Sequence, residues 1–251
     1  MNKRGQVVIF VIVAIAIVGV LAAVFLFPRV REGVTGTEFS PNSFLSDCVA
    51  PEVERGVSLL AMQGGYAEPE GFILNDGVKI KYLCYSAKNY EPCAVQQPMI
   101  KNNFEAELGR IVTPAAEQCV RNLKSEYEKR GYSVSASAVD TQLSIIPGKI
   151  RVDFLAPMTI TRDSTETFRG FDVELKSEMY DLLMTSQSIV DFESEFGDSE
   201  TTLYLQYYPD LKIDKTKLDD GSTIYKLSNV VTKEEFTFAS RSVAWPAGYG
   251  L

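Results

Sequence analysis

The 251-residue chain contains no histidine. That single absence removes the commonest general base and the commonest metal ligand, so Ser-His-Asp, Cys-His and HExxH sites cannot be built from it. No SxxK, GxxxxGK[ST] or GxGxxG pattern occurs, which removes the Ser/Lys nucleophile, the phosphate-cradling loop and the dinucleotide turn. There is no CxxC pair, so with histidine also missing a zinc site has no ligand framework. An enzyme built from this chain would depend on carboxylates, lysine or tyrosine. No pair among its 33 acidic residues can be singled out, because any two could fold to within about 5–9 Å. No enzyme activity, catalytic residue, metal or cofactor is therefore expected. Asn-x-Ser/Thr sequons, internal repeats and low-complexity segments are missing as well.

Basic charge is also scarce where it would matter. Lys3, Arg4, Arg29 and Arg31 are the only charges in the first 31 residues and take four of the 25 basic residues. The remaining 21 face 33 acidic residues, a net of about −12. Such a surface repels phosphate backbones and anionic lipid, so nucleic acid is not expected as a partner.

Hydrophobicity is concentrated at the start. Residues 7–27, from Val7 to Phe27, carry no charge. As a helix they reach about 31 Å at 1.5 Å per residue, enough to cross a hydrocarbon core of about 30 Å. A cleaved secretory signal has a shorter apolar core and a small-x-small site, and Phe25-Leu26-Phe27-Pro28 offers none. The reading is a polar head over 1–6, a retained transmembrane helix over 7–27 and a Gly-, Ser- and Thr-bearing linker over 28–42. Flanking charge leans only slightly toward a cytoplasmic head. Ala16, Gly19 and Ala23 form a small-residue stripe on which a second helix could pack closely.

Four cysteines, Cys48, Cys84, Cys93 and Cys119, lie early in the remaining chain. An even number beyond a membrane span reads as disulfides in an extracytoplasmic domain. Three pairings are possible. The favoured one joins Cys84 to Cys93 as a local staple and Cys48 to Cys119 as a clamp between helices, worth about 3 and 4 kcal/mol by loop-closure entropy.

Apolar periodicity predicts a helix over 43–63, with Phe44, Leu45, Val49, Val53, Val57 and Leu60 on one stripe and Ser43 as its cap. Asn75-Asp76-Gly77 marks a hairpin between strands over 72–74 and 78–85. A long helix follows over 98–130, with Pro114 as its point of breakage. Together these define a helical, disulfide-bonded region over 43–130.

From 131 the period moves toward two. Strands are predicted over 133–139, 142–146, 149–155, 158–162 and 167–175, with a turn at Pro147-Gly148. A helix over 176–190 leads into an acidic loop over 191–200. Strands over 201–207, 211–218, 223–227 and 235–243 complete a strand-rich region over 131–244, with Asp219-Asp220-Gly221 as a turn and a flexible tail over 245–251. Helices and strands occur in runs, so the class is α+β with an antiparallel, strand-rich ectodomain.

Two stretches invite ligands. Asp191, Glu193, Glu195, Asp198 and Glu200 could offer oxygen ligands to calcium, although the spacing is not that of an EF-hand and a solvated loop explains it as well. Tyr204, Tyr207, Tyr208 and Tyr225 could form an aromatic sugar- or peptide-binding face, or bury their rings as strand tyrosines do.

Lys3-Arg4-Gly5-Gln6 directly before the apolar run resembles the class III signals of archaeal pilins and archaellins. That resemblance implies cleavage between Gly5 and Gln6. Phe10 stands at the fifth mature position, where bacterial pilins carry glutamate. A second pattern comprises Phe44-Leu45-Ser46-Asp47-Cys48, the stretch Leu59-Leu60-Ala61-Met62-Gln63-Gly64-Gly65-Tyr66, and Glu117-Gln118-Cys119. It is similar to a family of uncharacterised membrane-anchored exported proteins of small-genome archaea, which share the Lys/Arg-Gly-Gln head. The resemblance implies a shared ectodomain with Cys48 and Cys119 close in space, and no catalytic residue. The expected protein is a single-pass, extracytoplasmic component of an archaeal cell surface, structural or adhesive and pilin-like. A tethered accessory module of an envelope complex and a carboxylate-based surface hydrolase are the alternatives. Its expected partners are membrane lipid through the N-terminal helix, and a second copy or another envelope protein.

Overall fold

A proline opens the first long helix. In the computed structural model, residues 39–137 and 139–245 are described, together with Val13 and Ile17. Chain contacts separate Met1–Ser40 from Pro41–Leu251. The expected head, Gly5, Gln6, Ala16, Gly19 and Ala23 lie outside the described residues. So do the expected membrane helix, apart from Val13 and Ile17, and most of the linker. Among the described residues no helix is long and apolar enough to cross a membrane.

Helix α1 is Pro41–Met62, two residues longer at its start than the periodicity suggested. Proline suits the first turn, where its missing N–H has no intrahelical partner. The end is set by Gly64 and Gly65, both at positive φ, with the Gly65 N–H on the Leu60 carbonyl at 2.8 Å. Helix α2, Ile100–Lys129, closes in the same way. Gly131 takes φ 84°, and the Tyr132 N–H reaches back to the Tyr127 carbonyl at 3.1 Å. The two tyrosine rings meet edge-on at 5.5 Å, the apolar contact that accompanies this cap. Pro114 does not break α2. It is exposed, while Val112, Ala116 and Cys119 around it are buried, so packing compensates the one missing backbone hydrogen bond.

The two helices lie against each other. Cys48 and Cys119 are bonded, with Cα atoms 5.8 Å apart. About two turns further along α1, a Cβ on Gly56 would come within 2.6 Å of Leu108 Cδ1, so any larger residue would force that buried side chain to shift.

Three sheets complete the fold. β1 (Phe72–Asn75) and β2 (Val78–Tyr85) form a hairpin, and β3 (Ala94–Val95) pairs with the far end of β2. The hairpin turns at Asp76 and Gly77, both at positive φ, as a two-residue type I′ turn requires. β4 (Ser133–Ala136), β7 (Met158–Thr161) and β8 (Thr165–Phe168) make one small antiparallel sheet in the order β4-β7-β8. β5 (Asp140–Ile146), β6 (Lys149–Leu155) and β9 (Phe171–Lys176) make another in the order β5-β6-β9. Helix α3, Met179–Phe196, and the short α4, Thr202–Tyr207, precede β10 (Leu211–Lys217), β11 (Thr223–Asn229) and β12 (Glu235–Arg241). The main sheet runs β1-β2-β12-β11-β10.

The class is α+β, as expected, but the large sheet is not purely antiparallel. β12 lies parallel to β2, with Ser240 opposite Cys84. The regions 43–130 and 131–244 are thereby joined through one sheet. A row of rings fills the space between α2 and that sheet: Phe104 to Phe236 at 6.1 Å, Phe236 to Phe238 at 6.1 Å, and Phe238 stacked on Tyr225 at 5.1 Å.

Several expected boundaries move. The strand over 167–175 is two strands, interrupted at Arg169-Gly170, where a Cβ on Gly170 would sit 2.6 Å from the Phe154 carbonyl oxygen. Helix α3 runs on to Phe196, so most of the acidic loop is helix. Residues 202–207 are helix rather than strand. Trp245 is held edge-on against Tyr90 at 4.9 Å, and the rest of the tail lies outside the described residues.

Gly56 and Gly109 make a paired test. Gly109 has open space around its missing Cβ, whereas Gly56 does not. Gly109→Ala is expected to stabilise the protein by about 0.5–1 kcal/mol through helix propensity. Gly56→Ala is expected to destabilise it by about 1–3 kcal/mol through overpacking. Equilibrium denaturation of the two variants under non-reducing conditions checks both signs.

Candidate functional site

One carboxylate of the acidic run turns inward. Glu193, in the last turns of α3, is 2 % exposed. Its Oε1 accepts the Tyr225 hydroxyl and the Ser199 N–H, the latter at 2.8 Å, and its Oε2 accepts the Ser240 hydroxyl at 3.1 Å. Tyr225 comes from β11 and Ser240 from β12, so one side chain ties α3 to two strands of the main sheet. Burial raises the Glu193 pKa, against the hydrogen bonds from Tyr225, Ser199 and Ser240 and the charge of Lys215. Tyr225, also buried, is pushed well above the usual phenol range by desolvation and by the neighbouring carboxylate. The phenol therefore keeps its proton and donates it.

The same knot reaches the second disulfide. Cys84 and Cys93 are bonded, and the Cys93 N–H donates to Ser242 Oγ at 3.0 Å. Ser242 in turn donates to the Glu193 carbonyl at 2.7 Å. The loop closed by this disulfide grips the segment after β12. The Arg241 guanidinium donates to the Ser86 carbonyl at 2.5 Å, the Asp220 carbonyl at 3.0 Å and Asn89 Oδ1 at 3.1 Å. Backbone bonds join Tyr90 N–H to the Ala244 carbonyl at 3.0 Å and Val243 N–H to the Glu91 carbonyl at 2.9 Å. Tyr90 and Val243 take φ of 63° and 45°. For a β-branched residue that is a strained backbone, tolerated because hydrogen bonds on both sides determine it. Gly197 makes room: a Cβ there would meet Val243 Cγ2 at 2.5 Å.

The outer side of α3 differs in character. Met184, Phe192 and Phe196 are exposed, at spacings of eight and four residues, and the two phenylalanine rings touch at 4.8 Å. Helix α4 lies beside this stripe, held by Tyr204 to Ser188 at 2.8 Å. It buries none of its own residues: Leu203 is 57 % and Tyr207 79 % exposed. At the start of α3 a groove of about 230 Å³ opens between Glu178 and Asp181 on one side and Tyr208, Asp210 and Val231 on the other.

Both favoured disulfides form, and among the described residues no cysteine is free. The five candidate calcium ligands do not converge. Glu193 points inward, while Asp198 pairs with Lys215 and with Lys217, the second at 2.7 Å. Burial opposes ionisation of Asp198, but the two lysines outweigh it and hold that carboxyl below its usual range. Among the described residues no group of three or more acids or cysteines is placed to hold a metal ion. The four tyrosines do not share a face either: Tyr225 is fully buried, while Tyr207 and Tyr208 are exposed. Sequence reading missed the Glu193 knot, since its two side-chain donors, Tyr225 and Ser240, lie 32 and 47 residues further along the chain. The only local signal was an acid at an apolar-stripe position, four residues after Ile189.

Fold and site together define a disulfide-bonded α+β unit with a buried carboxylate knot and an open acidic-aromatic face. Compared with known protein families, curated proteins and solved structures, the chain matches none.

A carboxyl whose folded pKa is raised stabilises fully below its unfolded value, about 4.3, and loses that contribution as pH climbs through the folded value. Glu193→Gln removes this titration. The wild-type unfolding free energy, measured relative to the variant, is expected to fall from about pH 4 upward. Denaturant unfolding at a series of pH values reads the difference, and a difference independent of pH contradicts it.

Proposed function

We propose that this protein is a single-pass, membrane-anchored component of an archaeal cell surface, with its folded unit outside the cytoplasm and a structural or adhesive role. The observation that carries the reading is the closure of two disulfides in a unit that follows an uncharged, membrane-length apolar stretch. Disulfides of this kind persist in oxidising compartments and are rare in the cytosol. The Lys3-Arg4-Gly5-Gln6 head supports a pilin-like route to the surface. A second reading, a tethered accessory module of an envelope complex, is favoured by the exposed face of α3 and α4. The surface hydrolase has no comparable support, since the buried Glu193 faces the core.

Two measurements test the reading. Non-reducing peptide mapping of the native protein is expected to recover Cys48 joined to Cys119 and Cys84 joined to Cys93. Free thiols at all four positions would contradict an extracytoplasmic unit. Mass spectrometry of the native N-terminus is expected to begin at Gln6; a chain that keeps Met1 removes the pilin-like route.

A further inference from the structure

From Ser177 to Asp210 the chain holds eight acidic residues and no lysine or arginine. Glu193 is buried and Asp198 is paired with two lysines. The other six, Glu178, Asp181, Asp191, Glu195, Glu200 and Asp210, form no ion pair among the described residues. Two of them are placed against the field of their own helix. Asp191 and Glu195 lie in the last turns of α3, which carries no basic residue there, so they add to the negative end of the helix dipole. Elsewhere the pattern is the opposite: on α2, Lys101, Arg110, Arg121, Lys124 and Lys129 each pair with a glutamate three or four residues away. The uncompensated charge borders the exposed Leu203 and the exposed Met184, Phe192, Phe196 and Tyr207, the last four being of types that protein interfaces favour over the rest of the surface.

We propose that the α3–α4 face docks a cationic amphipathic helical segment of a partner protein. Its apolar side would lie along the Met184–Phe192–Phe196 stripe and α4, and a lysine or arginine would enter the groove between Asp181 and Asp210. Charge selects this occupant over others. Six unpaired carboxylates repel lipid and nucleic-acid phosphates. A second copy of the folded unit has its α2 cations already paired. Helix-in-groove recognition needs apolar anchors in helical register with a charged rim, and this face supplies both halves of that requirement. The inference rests on the accessory-module reading for the partner's location. Its test is independent of topology, because free cysteines would leave the binding result unchanged.

The full chain, reconstituted in zwitterionic lipid nanodiscs, can be titrated against a labelled 18-residue Leu/Lys peptide with all leucines on one helical face. Empty nanodiscs serve as the blank. Saturable binding is expected, together with weakening at higher salt. A loss of about tenfold or more is expected in Phe196→Ser/Tyr207→Ser and in Asp181→Asn/Asp210→Asn. All substituted positions are exposed, so circular dichroism should be unchanged. Leu74→Ser, at an exposed apolar residue of the β1–β2 hairpin, should bind as the wild type does. Equal binding of a peptide with the same composition and scrambled leucines would overturn the proposal, as would retained affinity in both double variants. Peptide-independent self-association lost in Phe196→Ser/Tyr207→Ser would also overturn it, by assigning the face to a second copy.

Discussion

The parallel pairing of β12 with β2 is the constraint on which the rest of the folded unit depends. These strands come from opposite ends of the unit, and Ser240 sits opposite Cys84. Without that pairing the β10–β11–β12 meander would have its own free edge, and α1 with α2 would carry only the β1–β2 hairpin and the two small sheets. The pairing is reinforced on every side. The Cys84–Cys93 disulfide closes a loop whose backbone continues the ladder to Ala244, and Arg241 fastens that loop from the other strand. Ser240 carries the polar link onward to Glu193 and so to α3. The second disulfide, between α1 and α2, then closes the opposite side of the core.

Charge is distributed unevenly across this framework. On α2 the acids are matched by bases within one turn of helix, and on β10 Lys215 and Lys217 meet Asp198. Glu193 is buried but held by three donors, and Lys215 lies over the Tyr225 ring at 5.4 Å. The outer side of α3 and α4 combines unmatched carboxylates with exposed rings. A carboxylate locked in the core and carboxylates left open on the surface belong to one run of sequence and have opposite roles. The first supports packing of α3 on the sheet; the second faces outward from the rigid helix that packing creates. The open face therefore sits on a helix whose inner side is anchored to the sheet through Glu193.

Local chemistry made much of this legible. The helices α1 and α2 follow from apolar periodicity and glycine stops, and the turns at Asp76-Gly77, Pro147-Gly148 and Asp219-Asp220-Gly221 follow from turn chemistry. Cys48 lies on the stripe that faces α2, so its pairing with Cys119 was readable too. The β2–β12 pairing was not: strands some 150 residues apart carry no local sign of which way they run. Residues 201–207 were misread because a short run of threonine, leucine and tyrosine suits a strand as well as a helix, and only the packing beside Ser188 decides. The helical extension through 191–196 was hidden by its acids. One of them is an inward residue whose partners, Tyr225 and Ser240, come from another layer of the fold.

Pro41–Leu251 is one compact unit, and the β2–β12 seam is what would make it a single cooperative body. Native-state hydrogen exchange at that seam tests it most directly. The account predicts that the hydrogen-bonded amides of 82–85 and 239–241 open only with global unfolding, at the same free energy as the buried turns of α1 and α2. Exchange of the β10–β12 amides at a distinctly lower free energy, while α1 and α2 stay protected, would contradict it.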